Sequence, residues 1–193
     1  MSVIRAFIAI ELSAEIQDGL QQASNTLQSR TGTLPVRWVP VKNIHLTLVF
    51  LGDVATTNLE ALKDMLRSEV TGFPLFEISV GRLGAFPSFR KPRVIWIGVS
   101  APPDLSCLQH RIAQASARLG YPAEDRPFSP HLTLGRVSKT ASPEQVRKIG
   151  EILEAQMMDM LGKMPVVSVN LYRSDLQPAG AVYTRLLSVF LST

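Results

Sequence analysis

The sequence predicts an α+β fold made of two pseudo-symmetric lobes, each with a mainly antiparallel sheet and helices outside, around a central cleft. Three observations predict it. Strand-like segments alternate with helical ones along the whole chain. One tetrapeptide occurs twice, as His45-Leu46-Thr47-Leu48 and His131-Leu132-Thr133-Leu134. Each copy is followed by the same series of a helix, a β-rich run, a turn and another strand. Two copies are too few for a solenoid, so residues 1–193 read as a single two-lobed domain with an internal repeat.

The elements follow in order. Met1 to Leu12 is short and apolar, with a strand near 5–12; it lacks a basic leader and a small-residue cleavage site, so no signal peptide is expected. Further runs rich in β-branched and aromatic residues lie near 45–52, 76–83, 93–100, 130–137, 166–174 and 182–191. Helical patterns fall near 14–29, 57–70, 103–119 and 143–160. In the third of these, Leu105, Leu108, Ile112, Ala115 and Leu119 form an apolar stripe. Two helix starts carry capping-box patterns. Thr57-Asn58-Leu59-Glu60 begins twelve residues after His45; Ser142-Pro143-Glu144-Gln145 begins eleven after His131, with Pro at the first helical position. The β-rich runs then correspond as Phe76–Leu83 with 166–175, and 93–100 with 181–191.

Composition narrows the function classes. Charged residues make up 19% and the hydrophobic set 46%, which describes an ordered globular chain. At 193 residues, folding buries roughly 70% of the unfolded surface, so no covalent staple is needed. The single Cys107 excludes an internal disulfide framework and a cysteine-built zinc site, and fits a reducing compartment. No run approaches the roughly 20 apolar residues of a membrane span, so a cytoplasmic protein without a membrane partner is expected. The net charge of +4 suits a polyanionic ligand without requiring one, and Arg90, Lys91 and Arg93 crowd a loop marked by Pro87 and Pro92.

In a strand, side chains two apart share a face. His45 and Thr47 therefore lie opposite Ile44, Leu46, Leu48 and Phe50, and His131 and Thr133 lie opposite Leu132 and Leu134. Each motif gives one apolar face for a core and one face bearing an imidazole and a hydroxyl. Hydrolysis of a phosphodiester needs a proton taken from water on one side of phosphorus and another given to the leaving oxygen on the other. Histidine does either job near neutral pH, each transfer contributing roughly 10²–10⁴ in rate. Threonine hydroxyls can donate to the non-bridging oxygens as charge builds. This logic calls for no metal and no cofactor, and spacing alone leaves open which histidine is the acid. His110, off the apolar stripe of its helix, reads as a solvated surface residue.

With these residues in view, the chain resembles the two-histidine phosphoesterases that carry paired HxTx motifs, and among them the RNA 2′,3′-cyclic phosphodiesterases, also called 2′-5′ RNA ligases. The resemblance covers nearly the whole chain. It runs through Arg5-Ala6-Phe7-Ile8-Ala9-Ile10, Trp38-Val39-Pro40, His45 to Gly52 and Leu83-Gly84-Ala85-Phe86-Pro87. It continues in Arg126-Pro127-Phe128-Ser129-Pro130-His131 and Leu171-Tyr172-Arg173-Ser174. The resemblance implies two lobes with the motifs facing each other, and opening of a terminal 2′,3′-cyclic phosphate to a 2′-phosphomonoester. By resemblance His45 is the proton donor to the 3′ oxygen, His131 the proton acceptor from water, and Thr47 and Thr133 hold phosphate oxygens.

Phe50 and Arg136 each lie five residues after a motif histidine. The resemblance implies a base platform at Phe50 and a phosphate clamp at Arg136, and stacking and guanidinium forks suit those tasks. Strict alternation puts both on the wrong face; a bulge, at Gly135 for the second, would bring Arg136 into the cleft. The competing reading of Phe50 is a core residue under its sheet. The implied partner is RNA with a 2′,3′-cyclic phosphate end, tRNA halves included, acted on by a monomer. Three alternatives stand beside it: 2′-5′ joining of RNA halves, a small cyclic nucleotide or cyclic ADP-ribose phosphate as substrate, and a non-catalytic RNA-end-binding module.

Overall fold

The computed structural model describes residues 2–122, 127–156, 158–178 and 180–192. Met1 and Arg126 of the segments discussed above lie outside the described residues. Among the described residues, nine strands form two sheets. One sheet has the order β3-β1-β8-β9, built from β1 (Val3–Ile10), β3 (Leu46–Ala55), β8 (Ser168–Gln177) and β9 (Gly180–Phe190). The other has the order β2-β6-β5-β4-β7, built from β2 (Val36–Trp38), β4 (Phe76–Phe86), β5 (Val94–Ser100), β6 (His131–Val137) and β7 (Met160–Val166). Every ladder inside these sheets is antiparallel.

Four α-helices accompany them: α1 (Ala14–Thr31), α2 (Leu59–Val70), α3 (Pro103–Arg118) and α4 (Pro143–Glu154). The halves then run β1-α1-β3-α2-β4 and β5-α3-β6-α4-β8, each with its motif strand in the middle. In each sheet the motif strand pairs with the first strand of its own half, and that strand pairs with the strand that follows the other half's post-motif helix region, β8 or β4, giving β3-β1-β8 and β6-β5-β4. Each half thus donates strands to the opposite sheet, β2 and β4 from the first half and β8 and β9 from the second.

The apolar stripe read on α3 is buried from Leu105 to Ala115, while Leu119, its expected last member, lies just past the helix and is exposed. On α3, Leu105, Leu108 and Ile112 are essentially inaccessible, and each such side chain stabilises by roughly 2 kcal/mol. α2 and α3 pack together, with α3 against β3 and α2 against β8 and β9, while α1 packs on β7 and touches α4. α1 starts at Ser13, whose hydroxyl accepts from the Ile16 N–H at 3.4 Å, and stops at Gly32, whose φ of 54° needs a glycine.

Five expectations are corrected. The strand at 93–100, β5, lies beside its motif strand as β1 does and so does not correspond to 181–191, since β9 is the edge strand outside β8. The 143–160 helix ends at Glu154, and β7 follows it, pairing with β4 through contacts such as Met164 opposite Ile78. The strand expected over 166–174 is two, since Val166 ends β7 and Ser168 begins β8. β2 was not expected; it is a three-residue edge strand. Thr57 caps nothing: a 3-10 turn over Thr56–Asn58 leads into α2, no side chain caps it, and the Asn58 amide donates instead to the Tyr121 hydroxyl at 2.9 Å. The Ser142 capping box is present in full, with both Ser142 and Gln145 side chains bonded to backbone.

Candidate active site

The two motif strands touch each other although they belong to different sheets. His131 opens β6, and His45 immediately precedes β3 after a 3-10 turn over Val41–Asn43. Each ring is tied to the backbone two residues upstream. His131 Nδ1–H donates to the Ser129 carbonyl at 2.7 Å, which leaves Nε2 as the free nitrogen. His45 is hydrogen-bonded to the backbone of Asn43. Thr47 and Thr133 follow at two residues, half-buried as the histidines are, between fully buried Leu46 and Leu48, and Leu132 and Leu134.

Strict alternation fails after the threonines, and it fails identically in both strands. In the β1–β3 ladder the partners step from Thr47 to Val49, passing over Leu48. In the β5–β6 ladder they step from Thr133 to Gly135, passing over Leu134. Each motif therefore ends in a bulge at its last leucine. Leu48 and Val49 are both buried, as are Leu134 and Gly135, and the next residue returns to the histidine face. The bulge expected at Gly135 sits one residue earlier. Both unladdered carbonyls find donors: Leu48 O accepts from Gln109 Nε2 on α3 at 3.3 Å, and Leu134 O accepts from the Val39 N–H at 2.8 Å.

Phe50 and Arg136 consequently lie on the same face as their histidines. Phe50 is 56% exposed, which overturns its reading as a core residue under the sheet. Arg136 is exposed, and its charge is felt at the Tyr183 hydroxyl of β9 in the other sheet, where it opposes the upward push of burial on that phenol.

Three aromatic residues that spacing did not single out surround His45. Phe7 stacks on its ring at 4.5 Å between centroids and an interplanar angle of 20°. Tyr183 meets it edge-on at 5.2 Å, and Tyr172 lies nearly parallel at 6.3 Å. Burial among these rings lowers the His45 pKa from 6.5 to about 4, against the opposing hydrogen bond to Asn43. The only signal in the sequence was that Phe7 and Tyr172 stand in flanks shared with known phosphoesterases. Beside this histidine lies a cavity of about 380 Å³, bordered by Lys42, Tyr172, Tyr183 and the Arg185–Glu11 pair (2.8 Å). His131 is outside that cavity and is met edge-on by Phe86 at 5.0 Å, with Trp96 at 6.3 Å. Gly84 makes room there, because a Cβ would run into the Trp96 indole.

His110 and Cys107 are exposed on α3, away from these groups. Among the described residues no group of three or more His, Cys, Asp and Glu side chains is placed to hold a metal ion. None of their helices is long and apolar enough to cross a membrane.

Known proteins are similar to this chain in sequence and fold. A family model described as LigT-like phosphoesterase matches residues 10–96 and again 97–183. The RNA 2′,3′-cyclic phosphodiesterase of Methanothermobacter thermautotrophicus is 36% identical over 181 residues, covering 94% of this chain and 95% of that protein. The enzyme of the same name from Archaeoglobus fulgidus is 34% identical over 183 residues, covering 95% and 98%. Among solved structures, a Thermus thermophilus protein designated TT0787 superposes with a TM-score of 0.80 at 27% identity over 97% and 98% of the two chains. The E. coli LigT complex with 3′-AMP gives 0.77 at 28% identity over the whole of both chains.

Proposed function

This chain belongs to the LigT-like phosphoesterase family, and we propose that it hydrolyses RNA 2′,3′-cyclic phosphate ends to 2′-phosphomonoesters by acid–base catalysis between two histidines. The observation that carries this reading is the pair of identical bulged motif strands. In each strand the bulge sets the motif histidine, its threonine and the fifth residue, Phe50 in one and Arg136 in the other, on one face, and the two strands touch. One chain supplies both halves, so a monomer suffices, and each sheet needs strands from the other half, which fits one two-lobed domain. Halves of a cut tRNA are RNAs of the required kind. The single exposed cysteine suits the cytoplasm.

In this reading the Nε2 of His131 takes a proton from water as the water oxygen attacks phosphorus. The P–O3′ bond breaks, and the 3′ oxygen leaves with a proton from His45. Thr47, Thr133 and Arg136 hold the phosphate oxygens while charge grows on them, and Phe50 carries the terminal base. The donor role of His45 has a condition. With a pKa of about 4 it is neutral in the free protein near pH 7, so the phosphate anion must raise it, and substrate binding is coupled to proton uptake.

The test is identification of the product from a defined cyclic-phosphate oligonucleotide in EDTA. A 2′-phosphate supports the reading. A 3′-phosphate, a 2′-5′ joined strand or an unchanged end each refutes it in favour of a different outcome. His45→Ala and His131→Ala should each lower kcat by at least about 10²-fold.

A further inference from the structure

The strand β2, which no sequence pattern announced, places a second arginine beside Arg136. Arg37 lies directly opposite Arg136 in the β2–β6 ladder. Directly opposed residues project from the same side of a sheet with Cβ atoms roughly 5 Å apart. Val36 and Trp38 flank the open position at Gly135 on the core side, where a Cβ would come within 3.1 Å of each, so Arg37 emerges on the other side, beside Arg136.

Two guanidinium groups set opposite each other repel, and a like-charged cross-strand pair destabilises a sheet. Nothing nearby relieves that repulsion. Both side chains are exposed, and neither makes an ion pair among the described residues. Segments 33–43, 84–100 and 127–141, which surround them, contain no Asp or Glu at all. The next cation along is Arg93, whose Nη1 donates to the Ser138 carbonyl and whose neighbours Arg90 and Lys91 lie in the β4–β5 loop. One phosphate at the histidines needs one fork, which Arg136 supplies. A second fork beside it has no task in a site for a lone cyclic phosphate.

We propose that Arg37, paired with Arg136, forms a second phosphate position that takes the phosphodiester on the 5′ side of the terminal nucleotide. This inference rests on the reading of the site as one for cyclic-phosphate ends. It makes the enzyme selective for oligonucleotides over mononucleotides, with the RNA body leaving over β2 and the basic loop.

The experiment compares kcat/KM for a nucleoside 2′,3′-cyclic phosphate, its 5′-phosphorylated form and a dinucleotide ending in the same group. The wild type should prefer the dinucleotide by about tenfold or more, the yield of one charge-assisted fork. In Arg37→Gln the dinucleotide should fall about tenfold further than the mononucleotide, and its dependence on salt should flatten. Arg37→Lys should restore part of the preference. If 5′ phosphorylation alone recovers the whole preference, the position takes a terminal phosphate rather than an internal diester, and the proposal is overturned. Equal losses on all three substrates also overturn it. The dinucleotide-to-mononucleotide ratio, measured as binding of the 2′-phosphate products to His131→Ala, tests Arg37 even if the hydrolytic reading fails. An unchanged binding ratio on adding Arg37→Gln to that variant would refute the second position.

Discussion

At the fifth place after its histidine β3 carries Phe50 and β6 carries Arg136, and their partners across the ladder differ in the same sense. Phe50 faces Phe7 on β1, with ring centroids 6.3 Å apart; Arg136 faces Val94 on the equivalent strand β5 and Arg37 on β2 at its other edge. The histidines diverge likewise. His45 is stacked against Phe7 and boxed by two tyrosines, whereas His131 has Phe86 edge-on, Trp96 tilted beyond it and a carbonyl fixing its Nδ1 proton. One bulged scaffold has thus been furnished twice, once with rings and once with cations. The backbone sets where the groups point; the ladder partners decide what they do there.

The largest test of that division is at the threonines, which both lobes share. Thr47→Val and Thr133→Val should each lower kcat by about 10²-fold on a cyclic-phosphate RNA, with stability little changed. If one valine is harmless, the phosphate leans on a single lobe and the symmetric description of the site fails.

The aromatic cage supplies the next test. The His45 pKa is depressed on folding, so its contribution to stability is complete above the unfolded value of 6.5 and is lost as pH falls through about 4. Urea unfolding at pH 7 and pH 4 should show the wild type losing about 3 kcal/mol more than His45→Gln. Equal losses in the two proteins would mean that the rings do not exclude the protonated imidazole.

The smallest contrast is between the helices that follow the motifs. Ser142→Ala should destabilise by about 1 kcal/mol because a real capping box is lost. Thr57→Ala should stay within about 0.5 kcal/mol, since Thr57 belongs to the turn ahead of α2 and caps nothing.

That pair also shows how far the sequence could be read. Capping patterns are local, and the same four-residue signal describes a helix start at Ser142 and only its approach at Thr57, where the Asn58 side chain is engaged by Tyr121 from far along the chain. The long strands and the amphipathic helices were legible because their periodicity records which face is buried. β7, with Gly162 and Pro165 in its run, has no such record; it is an edge strand defined by pairing with β4. The histidines and threonines were legible through repetition and alternation. The faces of Phe50 and Arg136 were not, because a bulge depends on a carbonyl finding a donor elsewhere, Gln109 in one lobe and Val39 in the other. The aromatic box around His45 joins β1, β8 and β9, and Arg37 reaches Arg136 only through a ladder, so neither leaves a spacing to detect.

The exchange of strands between the halves has a consequence for how the chain can fold. A fragment ending near residue 100 holds β4 and β5 but lacks β6 and β7, and it holds β1 and β3 but lacks β8 and β9. Neither strand pair can complete its sheet, and each would expose unpaired edges and half of a common core. Duplication here did not yield two modules that mature in succession on the ribosome. The halves are obligate complements, like the protomers of a strand-swapped dimer joined into one polypeptide, and the nascent chain must wait for its C-terminal strands before either histidine has a finished sheet beneath it.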